Sequence, residues 1–453
     1  MLLLLMLLAA QTQGRTLAPT GNAHLLMDRA LARYLAGDPR AAARMLREAA
    51  RLDAHLANLY QGLEQLNLGH PARAIEPLQN ALKEDPGNNA VRQVLADAFY
   101  DAGRYYPAAA QLIQVTDASP PNTRAWYVLG RTWAALARSR YERILKQAPP
   151  DSAYGLAVAA DGLMQRHAYR RALVIYNEAL AKDPDLLGVR AAVAEIYRVN
   201  GRVDWAAREE ELATRTDCTV HRLACEFRAG RHEAVLAATL KAQSMDAWYW
   251  QAQAFTGLAN AAFAKLAGLP PSLELHRYRA SLAWDAGQHA EVVEELRKAL
   301  EFAPADRGLR RDLAMALGGA GKYDDAWRLA RELLREEPDS PELNNLAGAA
   351  LLNDQRVEEA IPFLTKALAA RPNDLSIRAS LGRAWMQAGR PARALPHLEA
   401  AASTDKDGSL HFQLAHAYQQ TGRPELAEQA MAAYKELSAK PVFPPEPPLV
   451  PPE

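Results

Sequence analysis

The sequence predicts an all-α protein, an α-solenoid made of a superhelical array of helix-turn-helix units. Three observations lead there. Prolines fall at Pro86, Pro120, Pro184, Pro304, Pro338 and Pro372, and the step of 34 residues dominates. Gly69, Gly103, Gly287 and Gly321 keep the same register, each seven residues after a small residue at Gly62, Ala96, Ala280 or Ala314. Twelve residues beyond those small positions stand Ala74, Ala108, Val292 and Ala326. A length of 453 residues suits one extended array or about three globular units. With 49% hydrophobic residues, 25 Gly and 28 Pro, the chain is neither disordered throughout nor collagen-like. Its 53 basic and 53 acidic residues cancel, which argues against a protein built to grip nucleic acid or an anionic membrane.

Each unit reads as a helical hairpin. Between Asn344 and Pro372, Leu346, Ala347, Ala350 and Leu351 recur at helical spacing, and Ala360, Ile361, Leu364, Ala367 and Leu368 do so after the turn. Gly348 and Ala360 are small because two helices must approach there, and Pro372 stops the second helix. Leu364 fills the gap to the next hairpin. One hairpin cannot bury both of its faces, so the copies must stack.

Taken in order, Met1 to Ala10 carry no polar side chain, and the first charge is Arg15. Ten apolar residues rise about 15 Å as a helix, half of a hydrocarbon core of about 30 Å, so a spanning helix is not expected. Thr12 and Gly14 suit signal-peptidase positions, although no positive residue precedes Leu2. Residues 1–14 are expected to be an export signal, placing the chain in the periplasm or outside a bacterial cell. If they are instead a helix packed on the first unit, a cytoplasmic location follows. An N-terminal array is expected over 23–220. Within it the step from Gly130 to Ala160 shortens to 30, and Arg131 to Gln147 holds no Gly or Pro, so that hairpin should be shortened or fused. Residues 221–272 form an irregular helical junction, with a short hairpin turning at Gly230 and a long helix from Trp248-Tyr249-Trp250 to Pro270-Pro271. Successive helical residues turn by about 100°, so at least one of those aromatics is expected to be exposed or to cover the break. A C-terminal array follows over 273–440. Residues 441–453, seven of them proline, read as a disordered polyproline-II tail.

Trp126, Leu129 and Gly130 match the pattern W-x2-L-G-x2-Y, with Trp133 in place of Tyr; the Trp position is relaxed at Asn58, Arg92 and Arg190, and an A-x3-F position holds Leu112 or Tyr176. On these residues the chain resembles the tetratricopeptide repeat family over about nine-tenths of its length, a specificity that comes from repetition and not from any one copy. The resemblance implies a scaffold whose first helices line a concave groove for an extended peptide or partner helix. The family's ligand-facing positions fall in the N-terminal half on Asp97, Tyr100, Asp101, Arg131, Asp161, Glu195 and Arg198. In the C-terminal half they fall on Arg277, Ser281, Asn345, Arg383, Gln387, His416 and Gln419. The first track is mostly acidic and suits a basic segment, with Asn holding its backbone; alternatively both tracks are merely solvated helix faces. A clamp of Lys, Asn and Arg for two carboxylates is not recognisable.

No motif asks for a cofactor or a metal. Gly318-Gly319-Ala320-Gly321-Lys322 lacks the earlier Gly of a phosphate-binding loop and has Tyr323 where Ser or Thr would meet magnesium. His232-Glu233 lacks the second His that a zinc protease helix needs. On one helix, Cys218 and Cys225 would stand about 10 Å apart, beyond the roughly 7 Å limit for a bridge. The reading is therefore two inert thiols, and a disulfide would require Cys218 in a turn. The chain is expected to be a non-enzymatic adaptor that binds other proteins, without nucleic acid or a membrane span. The other reading is an envelope accessory protein for polysaccharide or peptidoglycan, with Tyr100 and Trp284 as the aromatic candidates.

Overall fold

The computed structural model describes residues 19–35, 38–53, 56–214, 217–439, 447–449 and 451. The expected export signal over 1–14 and most of the expected proline-rich tail over 441–453 lie outside the described residues. All regular structure among the described residues is helical, and the chain is an α-solenoid of stacked helical hairpins.

One hairpin explains the rest. Its first helix starts at a side-chain cap: Asn88 accepts from Val91 N, Asp306 from Leu309 N, Ser340 from Leu343 N and Asp374 from Ile377 N, each satisfying an amide that the helix leaves open. Most second helices start without a side-chain cap, after a turn that closes the first helix on a left-handed residue; those that begin at Pro39 and Met245 are capped by Asp38 and Ser244. Gly103 has φ +71°, and Arg104 N donates back to Phe99 O at 2.8 Å, a Schellman closure. Gly201 serves likewise at φ +74°, whereas His167 and Gln355 adopt this conformation with a side chain, at φ 56° and 65°. The relaxed Trp position also finds a reason. Trp126 Nε1 donates to Pro120 O at 2.7 Å, Asn344 Nδ2 to Pro338 O at 3.0 Å and Arg378 Nη2 to Pro372 O at 2.7 Å. Any donor long enough to reach the proline carbonyl six residues back suffices.

The first compact unit comprises Met1–Pro150 with Thr216–Leu275. It opens with three hairpins: α1 (Pro19–Leu35) with α2 (Pro39–Leu52), α3 (Ala57–Asn67) with α4 (Pro71–Glu84), and α5 (Asn89–Asp101) with α6 (Tyr105–Ala118). Then α7 runs unbroken from Thr123 to Gln147, the fused form of the expected shortened hairpin. Its partner is α14 (Met245–Ala267), reached after the short helices α12 (Arg222–Arg228) and α13 (His232–Thr239). The pair is antiparallel: Gly130 faces Phe263, Trp133 stacks on Phe255 at 5.7 Å, and Arg140 Nε donates to Gln251 Oε1 at 2.6 Å. Elsewhere the small residue of a first helix meets Leu sixteen positions on, Gly62 with Leu78, Gly348 with Leu364 and Gly382 with Leu398. Phe263 occupies that place for Gly130, and Ala259-x3-Phe263 followed by Pro271 supplies the second-helix pattern. This repeat is thus split, its two helices parted by the chain between them.

The expectation of two free thiols is corrected here. Cys218 and Cys225 form a disulfide, with Cα atoms 5.8 Å apart, because Cys218 lies in the turn before α12 and not on a helix with Cys225. Of the two placements expected for Trp248, Tyr249 and Trp250, exposure does not occur: all are buried, at 4%, 1% and 7% exposure, because α14 packs against α7 and also against α12 and α13.

The second unit comprises Asp151–Arg215 with His276–Glu453. Its earlier part pairs α8 (Ala153–Gln165) with α9 (Tyr169–Lys182) and α10 (Leu187–Val199) with α11 (Val203–Thr214). Its later part begins in α15 (Leu273–Asp285) and α16 (His289–Phe302). Next come α17 (Arg307–Gly319) with α18 (Tyr323–Glu336), α19 (Pro341–Asn353) with α20 (Val357–Ala370), α21 (Leu375–Gln387) with α22 (Pro391–Ala401), and α23 (Ser409–Gln420) with α24 (Pro424–Ala439). The expected partition into 23–220, 221–272 and 273–440 follows the chain, whereas compactness assigns 151–215 and 216–275 to different units.

Candidate functional site

The residue three places before the small position of each first helix defines one inward row. In the first unit this row holds Met27 before Ala30, Leu59 before Gly62 and Gln93 before Ala96, all buried, and the half-buried Tyr127 before Gly130. Apolar side chains here let the first helices close on one another, and α1 reaches past α3 to touch α5. Behind them sits a charged cluster. Arg124 Nη2 donates to Asp97 at 2.8 Å, and Asp97 is only 7% exposed. Burial opposes the Arg124 charge, but Asp97 beside it more than restores it, so the guanidinium is held charged. Burial and the Asp97 charge together raise the Tyr34 phenol. Asp101, at the end of α5, has its carboxyl raised by partial desolvation and then by Asp97. Arg131 lies over the rings of Tyr100 at 4.8 Å and Tyr127 at 5.5 Å. The structure therefore brings Asp97, Tyr100, Asp101 and Arg131 into one half-closed cluster whose charges answer each other.

The acidic positions of the second unit are engaged as well. Asp161 accepts from the Tyr176 hydroxyl, and Arg198 pairs with both Glu195 and Glu210. A carboxylate already paired has less to offer a basic segment.

In the later part of the second unit the same row reads Arg277 before Ala280, Arg311 before Ala314 and Asn345 before Gly348, and it stays partly open. The helices α17, α19, α21 and α23 touch in succession, which sets Arg311 and Asn345 on neighbouring first helices. Arg277 Nη2 donates to Asp306 at 3.1 Å. Arg311 comes within 3.7 Å of Glu337, while its buried Nε lacks a hydrogen-bond partner. The Asn345 Oδ1 and the Arg383 Nε are buried without hydrogen-bond partners among the described residues, and Arg383 Nη2 donates to Ser380 Oγ at 3.4 Å. Ser281 and Gln387 are exposed, as is Gln419, and His416 packs edge-on against Phe412 at 4.5 Å. Trp284, Met315 and Phe412 add apolar surface at 39%, 40% and 41% exposure. Arg311 and Met315 were missed in the sequence, although their places relative to Ala314 match those of Arg277 and Ser281 relative to Ala280. Among the described residues no cluster of three His, Cys, Asp or Glu side chains could hold a metal ion, and no helix is long and apolar enough to cross a membrane.

Three family profiles, each described as a tetratricopeptide repeat, match residues 27–89 and 311–374, residues 65–132 and 351–411, and residues 408–441. No curated protein matches the chain. Solved structures that are similar include MamA from Desulfovibrio magneticus RS-1, 20% identical over 37% of this chain and 95% of that one, with a TM-score of 0.34. MamA MSR-1 is 24% identical over 37% and 97%, with a TM-score of 0.32. MamA AMB-1 is 25% identical over 36% and 98%, also at 0.32.

Proposed function

The chain belongs to the tetratricopeptide repeat family, a protein-interaction scaffold, and from that premise we propose that it is a non-enzymatic adaptor binding an extended, acidic partner segment along the first helices of residues 276–439. One observation carries this reading: the inward row is buried in the first unit at Met27, Leu59 and Gln93, but half-buried in the later part of the second at Arg277, Arg311 and Asn345. Arg277 and Arg311 already face Asp306 and Glu337, so the guanidinium that suits a partner carboxylate is Arg383, which pairs with no carboxylate among the described residues, and the Asn345 amide suits a peptide backbone. Trp284, Met315 and Phe412 offer apolar contacts between them. A preformed helical surface limits the ordering cost of such binding. The positions Ser281, Arg383 and Gln387 belong to this groove, whereas Asp97, Glu195 and Arg198 are engaged within the chain.

A periplasmic or secreted location is part of the proposal, supported by the Cys218–Cys225 disulfide, which persists in oxidising compartments, and by the apolar run Met1 to Ala10. The polysaccharide reading finds less support, because Arg131 covers the Tyr100 ring and Tyr105 packs edge-on against it at 5.5 Å.

The test is selection of displayed random peptides on the protein and on an Arg311→Glu, Arg383→Glu variant of unchanged ellipticity. The groove reading expects enrichment of Asp and Glu that the variant abolishes. Peptides enriched in Lys and Arg, or peptides retained by the variant, would refute it.

A further inference from the structure

Apart from the groove, the first unit holds a cavity of about 270 Å³ between α1, the start of α3, the end of α4 and the start of α5. Its floor is aliphatic: Met27, Leu56, Leu59, Ala81 and Val91, each less than a tenth exposed. Its mouth carries three carboxylates, Asp53, Glu84 and Asp85, together with His24, and no Lys or Arg lines it. Arg92 and Trp126 donate to a proline carbonyl six residues back, but for Asn58 that position is Leu52, and its side chain donates to Glu84 Oε1 at 2.8 Å.

We infer that this cavity takes an aliphatic primary ammonium group, supplied by a lysine side chain of a partner protein. Its size falls just short of the roughly 300–1,000 Å³ of small-molecule pockets, yet it has room for a four-carbon stem. The floor has no aromatic ring on which a base or sugar could stack. A lysine lays its methylenes on such a floor while its charged end stays at the wet mouth. There Glu84 and Asp85 keep acceptor capacity beside their hydrogen bonds from Asn58 and Asn88. Carboxylates at the mouth of an apolar pocket complement this ligand in both charge and hydrophobicity, whereas an acidic or purely polar side chain would meet repulsion at the rim or an unsatisfied floor.

The full chain with 13C-methyl methionine, its Met27 signal assigned through Met27→Leu, is titrated with Nα-acetyl-lysine methylamide, its norleucine counterpart and putrescine. The lysine compound should shift the Met27 signal saturably, and the uncharged norleucine compound should bind about tenfold more weakly. Glu84→Gln with Asp85→Asn, which keeps both hydrogen-bond partners, should lower lysine binding to the norleucine level. Equal binding of norleucine would reduce the site to an apolar cavity and overturn the inference. Putrescine bound tenfold more tightly than lysine would assign the site to a free polyamine instead, and an unmoved Met27 signal would exclude it altogether. The Arg311→Glu, Arg383→Glu variant should leave the Met27 response intact, so failure here and failure of the groove reading are told apart.

Discussion

If α7 and α14 are the two halves of one split repeat, Gly130 must stay a glycine. A Cβ built there would stand 2.7–2.9 Å from Cε1, Cζ and Cδ1 of Phe263, closer than packed carbons tolerate, so the ring or a helix has to move. Overpacking of this kind costs about 1–3 kcal/mol. Against it, Ala in mid-helix gains about 1 kcal/mol over Gly, so Gly130→Ala should destabilise by about 1 kcal/mol net. Two controls separate these effects. Gly162→Ala, with nothing within 4 Å of its added Cβ, should show the gain alone. Gly130→Ala combined with Phe263→Ala should regain it, giving a coupling energy of about 1–3 kcal/mol in the double-mutant cycle. Urea unfolding followed by tryptophan fluorescence suits the pair, since Trp126 and Trp133 lie on α7 and Trp248 and Trp250 on α14. If Gly130→Ala stabilises as much as Gly162→Ala, Phe263 is not seated on α7 and the split repeat is refuted.

Replacing Gln355, held at φ 65°, by Gly should raise stability by about 1 kcal/mol, seen as a later urea midpoint; the reverse change, Gly201→Val at φ +74°, should lower it by more than a typical surface substitution. Reducing the Cys218–Cys225 disulfide releases a short loop closure, worth about 2–3 kcal/mol by loop entropy, so amide exchange should accelerate in residues 222–239 and not in the stacked hairpins. Burial alone would raise the Glu295 carboxyl, but hydrogen bonds from His276 and Lys298 outweigh it and hold it below the ordinary range. Its stabilising contribution is therefore present above the usual carboxylate pKa of about 4.3 and is lost as pH falls through the lowered value. The stability difference between the native chain and Glu295→Gln should accordingly shrink on acidification below about pH 5; a constant difference would contradict the pairing.

The repeat register was legible because it rests on local rules: a left-handed residue at Gly103 or Gly201, a stop at Pro120 or Pro372, and small residues where helices touch. Even the departures around Gly130 and Gly230 showed as breaks in the step. What escaped was the long-range pairing. Ala259, Phe263 and Pro271 carry a second-helix pattern, but nothing adjacent to them supplies a first helix, and only the contact with Gly130 reveals whose partner they are. The disulfide escaped because it turns on whether Cys218 is helical. The site escaped in part for a related reason. Register places Asp97 and Arg277 on comparable faces, but whether such a face opens to solvent depends on how tightly neighbouring hairpins close. Met27 and Leu59 hinted at closure in the first unit by being apolar where Arg277 and Arg311 are not.

The groove reading meets its most direct test in photocrosslinking. A benzophenone amino acid is placed at Met315, on the open row, or at Asp101, on the half-closed cluster, and each protein is irradiated with the peptide that the native chain selects. The account predicts a crosslink from Met315, lost when Arg311 and Arg383 are replaced by Glu, and none from Asp101. A crosslink from Asp101 and not from Met315 would place the partner on the first unit and contradict it.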